Sequence, residues 1–355
     1  MIAQTDYYKK YLDSRTGILL SRYRKEMAAT HPEFGILLDE LRGLMERGGK
    51  RLRPYLAYVS YAGYGGSDIS QAVDIGVALE LTHLFLLIHD DIIDQDTVRY
   101  GGPNLTGVYK ERLGKRLSSL LARQAAEGAA LLGGDVSFML AQRTVQESGL
   151  NASLETEVLR LLNRMTLDVA AGELLDLILP LESDGSLTFE QVEAIYVSKT
   201  AGYSVVVPLQ LGNLLAGGSE TERQALARFG TPLGVAYQIQ DDILGMFGDE
   251  AKLGKSNLSD MRQGKHTPLY VHAMEHASAA QINVLHNAYG SAEAGTAELA
   301  AVRGVMVESG ALERTQDMMR DYAGQARAAL ASLSLSHEAR DALSSTLEQS
   351  INRTY

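Results

Sequence analysis

Two clusters of aspartate, Asp90-Asp91-Ile92-Ile93-Asp94 and Asp241-Asp242, each close an apolar helical stretch, and nothing else in the 355-residue chain constrains its architecture as tightly. In an α-helix, residues four and seven apart share a face. His83, Asp90 and Asp94 therefore fall on one stripe, with Asp91 about 100° round from Asp90 at roughly 3.6 residues per turn. Converging carboxylates repel one another and desolvate poorly unless a cation neutralises them. Mg²⁺ prefers carboxylate oxygens, keeps several waters and completes its shell with phosphate oxygens, so the pattern predicts magnesium bridging to a diphosphate. Residues 77–88, which precede the first cluster, are nearly apolar all round, placing it at the mouth of a buried helix. One such cluster alone could be a solvated acidic turn. Acid at a helix C-terminus opposes the macrodipole, however, and here the arrangement occurs twice. The clusters lie about 150 residues apart and must share one ligand if they cooperate, so residues 1–355 are expected to form a single domain.

The helical period recurs along the chain, and strand signals are scarce. There are only seven prolines, several at segment starts, and the expectation is an all-α fold. Capping boxes are expected at Thr188 with Gln191 and at Ser219 with Glu222. Helices are predicted near 5–29, 34–47, 51–63, 68–95, 116–148, 152–179, 188–215, 220–247, 268–286, 292–308, 311–332 and 336–352. Residues 101–104 with the Lys/Arg-rich 110–116, and residues 249–265, read as loops. The net charge of -11 leaves no global basic footprint for nucleic acid or an anionic membrane. The absence of cysteine excludes a disulfide framework and thiolate chemistry. No apolar run approaches the ~20 residues of a membrane span, and the N-terminus has no signal-peptide pattern, so a cytoplasmic protein is expected.

Cations should complement the acids. Gly48-Gly49-Lys50-Arg51-Leu52-Arg53-Pro54 offers three of them just before a helix start, where free amides also favour anions. Lys199-Thr200 lies mid-helix in an apolar stretch, so Lys199 needs something anionic beside it. Lys255 and Lys265 flank the glycine-rich loop after the second acidic cluster.

The ordered set formed by residues 48–54, 83–94, 199–200, 237–249, 254–255 and 264–265 resembles the trans-isoprenyl diphosphate synthases, the polyprenyl synthetase family. The resemblance implies a single helical bundle around a deep central cavity, of the isoprenoid synthase type, and a homodimer. It also implies a prenyltransferase that condenses isopentenyl diphosphate with an allylic diphosphate, using Mg²⁺, about three ions per active site. On that resemblance Asp90, Asp94 and Asp241 hold the metal with Asp91 and Asp242 in support, and Arg99, Lys199, Lys255 and Lys265 meet diphosphate oxygens. Lys50, Arg53 and His83 hold isopentenyl diphosphate, while dipoles of Lys199, Thr200 and Gln238 face the allylic carbocation. The released pyrophosphate takes the proton, and a dry cavity protects the cation from water.

The chain departs from the family's pattern at three places. Tyr100 follows Arg99 where a second arginine is the norm, Gly245 stands for the third aspartate of the second motif, and Gly172-Glu173 with Asp176 replaces the usual Gly-Gln pair. The residues four and five before the first motif are Leu86 and Phe85, and they floor the cavity in relatives. Phe85 lies about 7.5 Å deeper than Asp90 at about 1.5 Å per residue. One aromatic floor residue resembles the short-chain geranylgeranyl diphosphate synthases, so that product is expected. Two competing readings are a class I terpene cyclase on the same scaffold, to which Tyr100 gives some footing, and a non-catalytic subunit of a heteromeric synthase. Lys50, Arg53 and His83 argue against the first, and the five aspartates argue against the second.

Overall fold

A computed structural model of the chain describes residues 5–182, 187–249 and 257–352. The chain divides into two compact units, one comprising residues up to Arg160 with Leu211–Gly217, the other Leu161–Gln210 with the residues from Gly218 on. Apart from one two-stranded ribbon, the regular structure among the described residues is helical. The all-α expectation holds.

The first unit is built on α4 (Ile69–Ile93), which is apolar nearly all round and packs against α1 (Thr5–Ala28), α3 (Leu52–Gly63) and α6 (Ser119–Gln146). Ile75, Val77, Ala78 and Leu81 are fully excluded from water, each burial contributing roughly 1–3 kcal/mol. By length and composition α4 could cross a membrane, contrary to the expectation that no apolar run is long enough. Most of its apolar surface is instead covered within the unit, as the core helix of a large bundle requires. Its buried acids are paired: Asp74 with Arg15 at 2.7 Å, and Glu80 with Arg51 at 2.8 Å. Helix α2 (Pro32–Arg47) packs on α1, and α5 (Leu105–Gly114) packs on α6. Strands β1 (Val98–Arg99) and β2 (Gly102–Pro103) form a hairpin whose two turn residues, Tyr100 and Gly101, both have positive φ, as the turn that matches strand twist demands.

The second unit is organised by α10 (Glu220–Phe247). It packs against α15 (Ala311–Ala331) and against an eleven-residue π-helical segment, Tyr196–Val206, that joins α8 (Phe189–Ile195) to α9 (Val207–Leu215). The core around Ile195, Ala201, Ile239, Met261 and Leu269 also takes in α12 (Pro268–His276) and α14 (Thr296–Glu308). The remaining elements are α7 (Ala152–Glu182), within which the division between units falls, α11 (Leu258–Arg262), α13 (Ala279–Ala288) and α16 (His337–Ile351).

Both expected capping boxes are present, Thr188 with Gln191 and Ser219 with Glu222. Three boundaries need correction. The helix expected over 268–286 breaks at Ala277–Ser278, where Ser278 caps a new helix through its own box with Gln281. Asn104 accepts from the Gly107 amide and starts α5 inside an expected loop, and α11 forms a short turn inside the other. The expected 188–215 helix is continuous in path, but its middle is π-helical, which shifts the register of every side chain from Tyr196 to Val206.

Candidate active site

In the first unit the acidic cluster lies at the C-terminal end of α4, with Asp94 as the capping residue whose amide donates to the Asp90 carbonyl at 2.8 Å. Asp90 and Asp94 are half-buried and Asp91 is buried. Arg99 leaves the hairpin to meet both acids: its Nη2 is 3.1 Å from Asp90 Oδ2 and 2.6 Å from Asp91 Oδ1. Burial pushes the Asp91 carboxyl up to about 6, against the pull of Arg99. Arg99 thus spans the two acids.

His83 lies two turns before Asp90. Burial holds its pKa well below the ordinary imidazole range, and the guanidinium charges of Arg53, Arg99 and Arg51 push it the same way. Its ring thus lies within reach of three guanidinium groups. Within the glycine-rich basic segment, Arg51 is structural. It adopts a left-handed φ of 54° and binds Asp13, Glu80 and the carbonyls of Met45 and Gly48, leaving Lys50 exposed and Arg53 half-buried. Tyr100 lies flat against this segment, its ring atoms 2.3–2.5 Å from where a Cβ on Gly48 would sit, so only glycine permits the contact. Deeper along α4, Phe85 packs its ring 5.2 Å from that of Phe138 on α6 and 4.7 Å from His89, with Leu86 half-buried beside it.

In the second unit the cluster sits on the last turns of α10. Asp242 is buried, receives the Tyr196 hydroxyl proton in a hydrogen bond, and accepts from Gln238 Nε2 at 3.0 Å. Thr200 donates to Gln238 Oε1 at 3.0 Å, completing a chain from Thr200 to Tyr196. Burial, together with the charges of Asp260 and Asp241, pushes the Asp242 carboxyl up to about 7 despite those donors. Asp241 is half-buried. Asp260, from α11, was missed in the sequence. Its Oδ2 lies 2.3 Å from where a Cβ on Gly245 would stand, so the space of the missing third aspartate is taken by a carboxylate from another element. Lys265 lies 3.7 Å from Asp260.

Lys199 finds the anions its apolar setting demanded: Glu173 Oε2 at 2.9 Å and Asp176 Oδ2 at 2.7 Å, both on α7. Lys255 falls outside the described residues. Among the described residues no three histidine, aspartate or glutamate side chains form a preformed metal cage, and the candidate donors are carboxylates. That suits a cation completing its shell with water and phosphate oxygens.

The family model described as polyprenyl synthetase matches residues 35–306. The chain belongs to that family. It is 32% identical to the short chain isoprenyl diphosphate synthase of Methanocaldococcus jannaschii over 67% of this chain and 66% of that protein. It is likewise 32% identical to the enzyme of the same name from Methanothermobacter thermautotrophicus, over 78% and 77% respectively. Among solved structures, the geranylgeranyl pyrophosphate synthase of Corynebacterium glutamicum, complexed with isoprenyl diphosphate and magnesium, superposes with a TM-score of 0.91 at 27% identity, over 98% of this chain and 99% of that one. The chain is accordingly a trans-prenyltransferase with the all-α isoprenyl synthase fold.

Proposed function

We propose that the enzyme condenses isopentenyl diphosphate with an allylic diphosphate to give geranylgeranyl diphosphate. The observation that carries this reading is in the first unit: His83 among Arg53, Arg99 and Arg51, next to Asp90 and Asp91, with the Phe85–Phe138 pair farther down the same helix. A charged, metal-seeking end followed by an aromatic floor fits a substrate with a diphosphate head and a hydrocarbon tail.

The carboxylates fit magnesium. Asp90, Asp91, Asp94, Asp241 and Asp242 would hold it, and when bound it stabilises the departing pyrophosphate. Arg99, Lys199, Lys255 and Lys265 take the diphosphate oxygens that remain, while Lys50, Arg53 and His83 position isopentenyl diphosphate. The hydrogen-bond chain from Thr200 through Gln238 fixes two polar oxygens that face the positive charge developing on the allylic fragment. We infer that residues 1–355 act as a single catalytic domain. We infer about three ions per site, on the family resemblance.

We also infer a homodimer, supported by the exposed apolar side chains Leu120, Leu121, Leu131, Leu132 and Met139 along α6. A cytoplasmic location accords with the absence of cysteine. Incubating the purified protein with Mg²⁺, labelled isopentenyl diphosphate and each allylic primer tests the assignment. An elongated diphosphate ending at geranylgeranyl is expected. A cyclised hydrocarbon would instead mark a terpene cyclase, and no turnover without an added partner would mark a subunit of a heteromeric enzyme.

A further inference from the structure

Lys199 is expected to meet diphosphate oxygens, yet its ammonium donates to two carboxylates in the structure. Gly172 explains how they reach it. A Cβ at that position would lie 2.6 Å from Ser198 Oγ and 2.7 Å from the Lys199 amide, so α7 and the π-helical segment touch backbone to backbone there. Glu173 and Asp176, one turn apart on α7, are thereby carried onto Lys199. The three side chains are largely screened from water, at 24%, 18% and 28% exposure for Lys199, Glu173 and Asp176. Such pairs are weakened by solvent much less than surface pairs.

Two carboxylates hold the Lys199 ammonium, where a glutamine at position 173 would leave one. An arriving diphosphate must displace or share an ammonium that both already hold.

We propose that Glu173 is a positioning residue that restrains Lys199 and thereby weakens capture of the allylic diphosphate. This rests on the assignment of Lys199 to diphosphate binding made above. Glu173 acts through Lys199 and needs no contact with substrate.

The test compares the wild type with Glu173→Gln and with a control, Asp168→Asn, which removes a charge from the same helix where Asp168 pairs with exposed Arg164. Calorimetric titration with inorganic pyrophosphate at fixed Mg²⁺ reads capture directly, and steady-state elongation gives KM and kcat. The Glu173→Gln variant is expected to bind pyrophosphate about fivefold tighter, with a matching fall in KM for the allylic diphosphate and a smaller change in kcat. Asp168→Asn is expected to match the wild type. Unchanged or weaker pyrophosphate binding in Glu173→Gln overturns the proposal, as does equal tightening in the control. Elongation by the wild type decides the functional reading separately. Pyrophosphate binding by none of the three proteins would overturn the assignment of Lys199 and this proposal with it.

Discussion

The two acidic clusters each lie near the C-terminal end of a long helix, yet their surroundings handle the charge in opposite ways. In the first unit a cation answers it: Arg99 spans Asp90 and Asp91, and Asp91 rises only to about 6. In the second unit Asp242 is met by neutral donors, Tyr196 and Gln238, while Asp260 and Asp241 add like charge, and its carboxyl rises to about 7. In the first cluster an arginine already spans two of the acids and must be released or shared when an anion is engaged. The second gathers Asp241, Asp242 and Asp260, with Lys265 3.7 Å from Asp260, and the like charge raises the dependence of its ionised form on an added cation.

Removing a leading acid from either cluster should break the comparison most severely. Asp90→Ala and Asp241→Ala are each expected to lower kcat by ~10²-fold or more, because leaving-group stabilisation is lost. Steady-state elongation assays check this, and equal, near-complete turnover in either variant would show that the clusters do not cooperate. The floor of the first unit should respond qualitatively. Phe85→Ala and Phe138→Ala should each lengthen the product, as read by chromatography of the dephosphorylated alcohols. A product of unchanged length in both would remove Phe85 and Phe138 from the control of chain length.

The charge contrast also has a pH signature. Asp242 has a folded-state pKa raised above that of an unfolded aspartate, so the folded form binds the proton more tightly. Its contribution to stability is complete below about pH 4 and is lost as pH rises through about 7. In chelator, the wild type should therefore lose Tm across this window more steeply than Asp242→Asn, measured by calorimetry, and parallel curves would contradict the assignment. The smallest effect is expected at the hairpin. Gly48→Ala places a methyl against the Tyr100 ring and should raise KM for isopentenyl diphosphate about 3-fold through displacement of Lys50 and Arg53, whereas Tyr100→Ala together with Gly48→Ala should recover part of it. No recovery in the double variant would mean that the ring does not position the segment.

Much of this was legible in the sequence because helices announce themselves locally. The period of apolar residues along α4 and α10, and the capping boxes at Thr188 and Ser219, depend on neighbours within a turn or two, and both clusters were placed at helix ends correctly. The demand of Lys199 for an anionic partner was likewise readable from its apolar flanks. Which acids answer it was not, since Glu173 and Asp176 arrive from another helix through the close approach at Gly172. Phe138 and Asp260 were missed for the same reason: Phe138 on α6 and Asp260 on α11 come from elements that begin well after Phe85 and Gly245 in the chain.

The linear chain thus determined the helical class, the family and the identity of the titrating groups, because composition, period and spacing are properties of consecutive residues. Only the folded arrangement decided which of those groups are neutralised. Arg99 bridging two aspartates, Asp260 filling the space beside Gly245, and Lys199 shared by two carboxylates are contacts between elements distant in sequence. Electrostatic energy depends on through-space distance and on burial, and neither can be read along a chain.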